Sequence, residues 1–120
     1  MKYRESEEMY LETILTLSKK KGLVRSIDIA EELNYARSSV SRAVNLLSSR
    51  NYINIDKNGH ITLTKQGSIK ANNIYERHRV ITKALLMLGA CESSAEDNAC
   101  KIEHVVSDDI IELLKNKINL

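Results

Sequence analysis

Residues 26–63, SIDIAEELNYARSSVSRAVNLLSSRNYINIDKNGHITL, decide the fold of this chain. Ser26 opens a short helix over 27–33, with Ile29, Ala30 and Leu33 on its apolar side. Asn34 and Tyr35 make a turn. A second helix over 38–50 places Val40, Val44 and Leu47 on one buried stripe and turns Ser39, Arg42 and Ser49 outward. The period then shortens to two. Residues 52–55 and 61–63 read as strands, and Asp56-Lys57-Asn58-Gly59 between them is a hairpin-turn signal. Helix, turn, helix and then a two-stranded ribbon is the order of a winged helix-turn-helix.

The pattern extends in both directions. Residues 4–20 place Tyr10, Ile14 and Leu17 at i, i+4 and i+7, with Leu11 and Leu15 widening the stripe, so an amphipathic helix precedes the module. Lys19, Lys20 and Lys21 favour the negative end of that helix, and Gly22 takes its left-handed cap. Downstream, a long helix over 65–88 is stopped by Gly89. Ser93 with Glu96 three residues on has the form of a capping box and predicts a helix through Val106. Ser107-Asp108-Asp109 caps a last helix carrying Ile110, Ile111, Leu113, Leu114 and Ile118. The expected class is mainly α: a winged helix-turn-helix over 1–70, then a helical domain over 71–120.

Composition narrows the function classes. The 120 residues include no Pro, Trp or Phe, so Leu, Ile, Val, Ala and Tyr must build the core. No apolar run approaches the roughly 20 residues needed to cross a bilayer. The charged start, MKYRESEEMY, lacks a signal-peptide core, and a cytoplasmic location is expected. Net charge is only +2, but its distribution is uneven. Residues 35–70 hold six basic side chains against Asp56 alone, whereas 76–120 hold six basic and eight acidic ones. A basic middle before an acidic end fits a nucleic-acid reader joined to a cation-binding part.

In a helix-turn-helix the second helix lies in the major groove, its N-terminal residues against base edges. Those residues are Arg37, Ser38, Ser39, Ser41 and Arg42. Serines let the helix approach closely, and arginine can grip guanine or phosphate. Arg25, Ser26 and Arg50 flank the two helices as phosphate contacts, and Lys57 and His60 ride on the wing. The expected partner is double-stranded DNA. A winged helix that docks a protein instead is the competing reading, against which the basic excess argues.

A second set of residues bears chemistry. Cys100, Glu103 and His104 stand at i, i+3 and i+4, so on a helix they share one face; Met9 sits on the first helix and His78 lies between. Thiol, carboxylate, imidazole and thioether together suit a first-row transition metal. Core packing is the ordinary fate of a lone Cys or His, but three ligand types on one face make it the weaker reading.

On these marks the chain resembles the metal-dependent repressors related to diphtheria toxin repressor and the manganese transport regulator, over nearly all of 5–118. The resemblance rests on Glu8-Met9-Tyr10-Leu11, the helix-turn-helix over 26–53, Arg77-His78-Arg79, and the run ACKIEHVVSD at 99–108. It implies a homodimer that binds a palindromic operator when Fe(II) or Mn(II) is present and represses uptake genes. Carried over by position, Met9, Cys100, Glu103 and His104 are the primary site of the iron type. Manganese-type members have carboxylates at Met9 and Cys100. Sulfur donors favour Fe(II), with Mn(II) second and Co(II), Ni(II) or Zn(II) as surrogates. His78 maps to an ancillary site whose other positions fall on Glu96, where a histidine is expected, and Thr82, where a carboxylate is. Glu12 matches a carboxylate of the manganese type, which keeps a binuclear arrangement open. Arg37, Ser38 and Arg42 differ from the iron type, so no operator sequence is implied. The sequence ends at Leu120, which on this resemblance implies a short form without the SH3-like domain.

On this reading metal ties the first helix to the helix of Cys100, Glu103 and His104, which sets the spacing of two recognition helices across the dimer. Ile81, Leu85, Leu88, Ile110, Ile111 and Leu114 are the expected dimer contacts. A metal-independent regulator that senses oxidation through Cys91 and Cys100 is the alternative. A zinc enzyme is not expected, because neither HExxH nor a nucleophile elbow is present.

Overall fold

The computed structural model describes the backbone of residues 3–118 and the side chains of 7–118. Met1, Lys2, Asn119 and Leu120, the outer ends of the two expected domains, lie outside the described residues. The chain divides into two units, 1–72 and 73–120.

The first unit holds α1 (Tyr3–Lys21), α2 (Ser26–Leu33), α3 (Arg37–Ser49), β1 (Ile53–Ile55), β2 (Ile61–Leu63) and the start of α4 (Lys65–Met87). The apolar stripes of α1 and α3 are buried as their spacing predicts: Leu11, Ile14, Val40, Val44 and Leu47 are almost without exposed surface. Helix α1 packs on α2, α3 and β2, so the helix-turn-helix is built around it. Gly22 ends α1 at φ +83°, its N–H donating to the Ser18 carbonyl at 3.0 Å. Asn34 takes the left-handed conformation between α2 and α3. Strands β1 and β2 pair antiparallel, Ile53 opposite Leu63 and Ile55 opposite Ile61. The Asp56 carboxylate accepts from the Asn58 and His60 N–H groups at 2.9 Å each, and Gly59 has φ +81°, which closes the wing turn.

Most boundaries fall within a residue of expectation, and two of the shifts concern helix caps. Helix α3 begins at Arg37 rather than Ser38, with Ala36 as N-cap. Helix α2 includes Ser26, and its N-cap is Arg25, whose N–H donates to Asp28 Oδ2 at 2.8 Å. Asp28 Oδ1 in turn accepts from Lys21 Nζ at 2.6 Å. Asp28, not Ser26, therefore caps the helix. The Lys21 hydrogen bond, then the Arg25 N–H, hold its carboxyl below the usual value. A lowered pKa gives stability that is present above the unfolded value and lost as acid protonates the group. Asp28→Ala is expected to cost about 1 kcal/mol at neutral pH. Urea unfolding should show that difference undiminished above about pH 5 and vanishing below the ordinary carboxylate range near 4. A gap that persists in acid would remove the cap from the explanation.

The second unit contains the rest of α4, α5 (Glu92–Ile102) and α6 (Asp108–Ile118). Ile81, Ala99 and Ile111 form its core, with Leu85, Ile102, Val106 and Leu114 packed against them. This corrects the dimer expectation. Ile81 and Ile111 are spent on the unit's own core, and Leu85 and Leu114 are partly buried against it. Of the six expected contacts only Leu88, 83% exposed, and Ile110 face outward, together with Leu86, Met87, Val105 and Leu113.

Helix α5 also departs from its sequence cue. It starts at Glu92, its N-cap is Cys91, and it ends at Ile102 instead of Val106. The Ser93–Glu96 box does not form: Ser93 lies inside the helix rather than at its N-cap, and the Glu96 carboxylate instead bonds His78 Nε2 at 2.8 Å. Cys100 therefore lies in the last turn of α5, Glu103 is its C-cap, and His104 stands in the turn beyond. The shared helical face expected for these three residues ends at Glu103.

Candidate metal centre and nucleic-acid interface

The second unit brings four of the expected ligand residues into one chain. His78, from α4, places Nδ1 2.8 Å from Glu103 Oε2 and Nε2 2.8 Å from Glu96 Oε2. His104 Nε2 lies 3.4 Å from the other Glu103 oxygen, Oε1. Glu103 is wholly buried, with 0% exposure. Among the described residues Oε1 has no hydrogen-bond partner, so the 3.4 Å approach of His104 lacks the alignment of a bond.

That arrangement is costly for a protein alone. A buried carboxylate oxygen without a partner loses its hydration and regains nothing. A cation beside Oε1 and the His104 ring would recover that loss, and imidazole with carboxylate is a donor set for divalent metals. These residues fit a metal.

The remaining expected ligands are placed as follows. Cys100 is exposed on α5. Met9 and Glu12 lie half-buried on α1, in the first unit. The Tyr35 hydroxyl donates to the Met9 thioether at 3.7 Å, which links that sulfur to the turn of the helix-turn-helix. Thr82, at the ancillary position, has a buried hydroxyl without a partner among the described residues. It lines a cleft of about 600 Å³ with His78, Arg79, Lys83 and Glu96.

The two cysteines cannot pair within one chain. Cys91 is the N-cap of α5 and Cys100 sits nine residues along it, about 13 Å away at 1.5 Å rise per residue. A disulfide needs Cα atoms within roughly 7 Å. The Ser94 N–H and then the Ser93 hydroxyl hold the Cys91 thiol below its ordinary value.

On the nucleic-acid side, Arg37, Ser38, Ser39, Ser41 and Arg42 all lie exposed on α3, Arg25 is exposed at the cap of α2, and Lys57 is exposed on the wing. Ser26 is half-buried. His60 is half-buried with Nδ1 3.3 Å from Asp56 Oδ2. Arg50 is committed inside the unit. It forms an ion pair with Glu7, a buried carboxylate that also accepts from Lys70 Nζ at 2.9 Å, and both cations stand over the Tyr52 ring, at 6.0 and 4.9 Å. Half of the Arg50 side chain stays exposed. Sequence reasoning missed Glu7, because its partners lie 43 and 63 residues away. It also missed Arg77, discussed below. Among the described residues no helix is long and apolar enough to cross a membrane.

Comparison with known proteins agrees with both halves. Residues 2–61 match the family described as iron-dependent repressor, N-terminal DNA-binding domain. Residues 64–119 match the iron-dependent repressor metal-binding and dimerisation domain. An uncharacterized HTH-type transcriptional regulator of Methanocaldococcus jannaschii is 35% identical over 113 residues, covering 92% of this chain and 90% of that protein. The crystal structure of T. acidophilum IdeR shares 29% identity at a TM-score of 0.85, over 94% of this chain and 54% of that one. A structure of the manganese regulator SloR shares 32% at 0.82, over 94% and 53%. The chain spans about half the length of these two solved relatives. With both of its domains matched in order, the chain belongs to the iron-dependent repressor family, a family of DNA-binding regulators with a metal-binding and dimerisation domain.

Proposed function

We propose that this chain is a metal-activated transcriptional repressor that binds a palindromic operator as a homodimer in the cytoplasm and controls metal homeostasis. Residues 1–70 read DNA, and 71–120 bind metal and dimerise. The observation that carries the reading is the buried Glu103 carboxylate, whose Oε1 has no hydrogen-bond partner among the described residues and faces His104. Met9, Cys100, Glu103 and His104 form the primary ligand set, and His78, Glu96 and Glu12 serve a second, harder site. Bound metal supplies a cross-link among side chains that would otherwise stay independent. The two sulfur donors favour Fe(II) over Mn(II), with Co(II), Ni(II) and Zn(II) as surrogates.

The chain's own residues do the rest. His78 orients Glu103 from α4. Arg37, Ser38, Ser39, Ser41 and Arg42 face base edges and nearby phosphates, while Arg25, Ser26, Lys57, His60 and the exposed half of the Glu7-bound Arg50 contact the flanking backbone. The outward apolar side chains Leu86, Met87, Leu88, Val105, Ile110 and Leu113 supply the dimer contact.

The test is an anaerobic DNA-binding titration against the region upstream of the chain's own gene, with Fe(II), Mn(II) or chelator. Metal is expected to tighten binding by roughly 5- to 150-fold, the usual range of a coupling between sites. Fe(II) should act at lower concentration than Mn(II). Cys100→Ala should lose the metal response while keeping its helical circular dichroism. Equal binding in chelator would overturn the reading, and an unchanged metal response in Cys100→Ala would remove that ligand from the set.

A further inference from the structure

The turn that carries Glu103 and His104 is held locally by the Val105 and Val106 N–H groups, which donate to the Ile102 carbonyl at 3.0 and 3.2 Å, and these bonds leave the carbonyls of Glu103 and Val106 to partners from elsewhere. Residues 103–108, EHVVSD, contain no glycine, proline or asparagine, and two of them are β-branched. A helix end leaves its last carbonyls without intrahelical partners. Here the Ala99 and Ile102 carbonyls accept from N–H groups of the following turn, and two carbonyls just beyond the helix, those of Glu103 and Val106, are filled from another helix. Arg77 of α4 donates through Nε to the Glu103 carbonyl at 2.8 Å and through a terminal nitrogen to the Val106 carbonyl. Its other terminal nitrogen meets Asp108 Oδ1 at 2.7 Å. The Arg77 side chain is 11% exposed, whereas that of Asp108 is 94% exposed and adds orientation more than energy.

Arg77 is followed directly by His78, which bonds the Glu103 carboxylate at Oε2. Two adjacent residues of one helix thus grip Glu103 at both ends, one at its carbonyl and one at its side chain. Oε1 is left without a hydrogen-bond partner among the described residues, and an unrestrained turn would move to relieve it. The rigid planar fork of a guanidinium suits two carbonyls spaced along that turn, whereas the three donors of a lysine radiate from a single nitrogen and fit them less well.

Resting on the metal reading above, we propose that Arg77 is a positioning residue that sets the metal affinity of the centre by fixing the Glu103–His104 turn, without itself ligating metal. Arg77 holds Glu103 and His104 in place before metal arrives, so binding does not have to pay for ordering them.

Co(II) alone is the probe, titrated anaerobically into the full chain and read by its visible d–d bands and near-ultraviolet thiolate charge-transfer band. Arg77→Gln is expected to weaken Co(II) binding about 10- to 100-fold, the usual effect of removing a partner that orients a ligand. It should also alter the d–d bands. Arg77→Lys should lie between it and wild type. Wild-type affinity and spectrum in both variants, whatever their melting temperatures, would overturn the proposal. If Arg77→Gln does not fold, Arg77→Lys decides by the same measure. Glu103→Gln run in parallel separates the two claims. If it loses Co(II) while the Arg77 variants keep it, only the role of Arg77 fails; if it too binds like wild type, the metal centre fails and Arg77 with it.

Discussion

Gly67→Ala is expected to destabilise the first unit by about 3 kcal/mol, the upper range for overpacking a site that cannot yield. Gly67 lies in the first turn of α4, and a Cβ built there falls 1.9 Å from the Tyr52 carbonyl oxygen. That atom is backbone, so it cannot swing aside. It is also engaged: Tyr52 O accepts from the Thr64 N–H at 3.0 Å. The Thr64 hydroxyl lies 2.7 Å from Asn51 O and accepts from the Gly67 N–H at 3.0 Å. A methyl group at 67 would push α4 off this junction and break several of these bonds together. The sign is diagnostic. In an open helix interior, replacing Gly by Ala stabilises by about 1 kcal/mol. Here the melting temperature should fall by roughly 10–20 °C for a unit of this size. A melting temperature that rises or stays level would show that the helix does not sit this close to Tyr52.

Glu103→Gln is expected to separate stability from function. The amide keeps the size of the side chain but removes a buried charge of which one oxygen has no hydrogen-bond partner among the described residues. A neutral amide escapes the cost of burying a carboxylate with one unsatisfied oxygen, and its own oxygen can still accept from His78 Nδ1, which keeps that contact in place. The metal-free variant should therefore melt at or above the wild-type temperature. Metal binding should fall at least about 100-fold, beyond the loss from disturbing an orienting partner. At Co(II) equal to 100 times the wild-type dissociation constant, the wild type gains about 2.7 kcal/mol of stability, and the variant almost none. Thermal scans with and without Co(II) give both quantities. A variant that melts far lower without metal, yet keeps its metal-induced rise, would mean Glu103 is a structural carboxylate satisfied by His78 alone.

These two positions differ in how far sequence reveals them. Glu103 stood out by its type and by its spacing from Cys100 and His104, since ligand chemistry is written in residue identity. Gly67 gave no sign, because a glycine near a helix start reads only as a weak position. What makes it costly to change is a carbonyl fifteen residues earlier that packs against it.

The same division runs through the whole chain. Amphipathic stripes such as Val40, Val44 and Leu47, the Gly22 cap and the Asp56–Gly59 turn determined the helix-turn-helix and its wing, since each depends on residues within a turn or two of one another. The basic excess over 35–70 and the donor types of Met9, Cys100, Glu103 and His104 were equally legible as composition. Tertiary structure alone decided where α5 begins and ends. Cys91 rather than Ser93 stands at its N-cap, Glu96 bonds His78, and Arg77 takes carbonyls of the turn that follows Ile102. It also decided that Ile81 and Ile111 fill a core rather than a dimer face, and that Arg50 answers Glu7. In each of these contacts the partner lies at least eighteen residues away, where local periodicity carries no information. Only packing fixes which of several available donors reaches a given acceptor, and that choice leaves Oε1 of Glu103 buried and without a hydrogen-bond partner among the described residues.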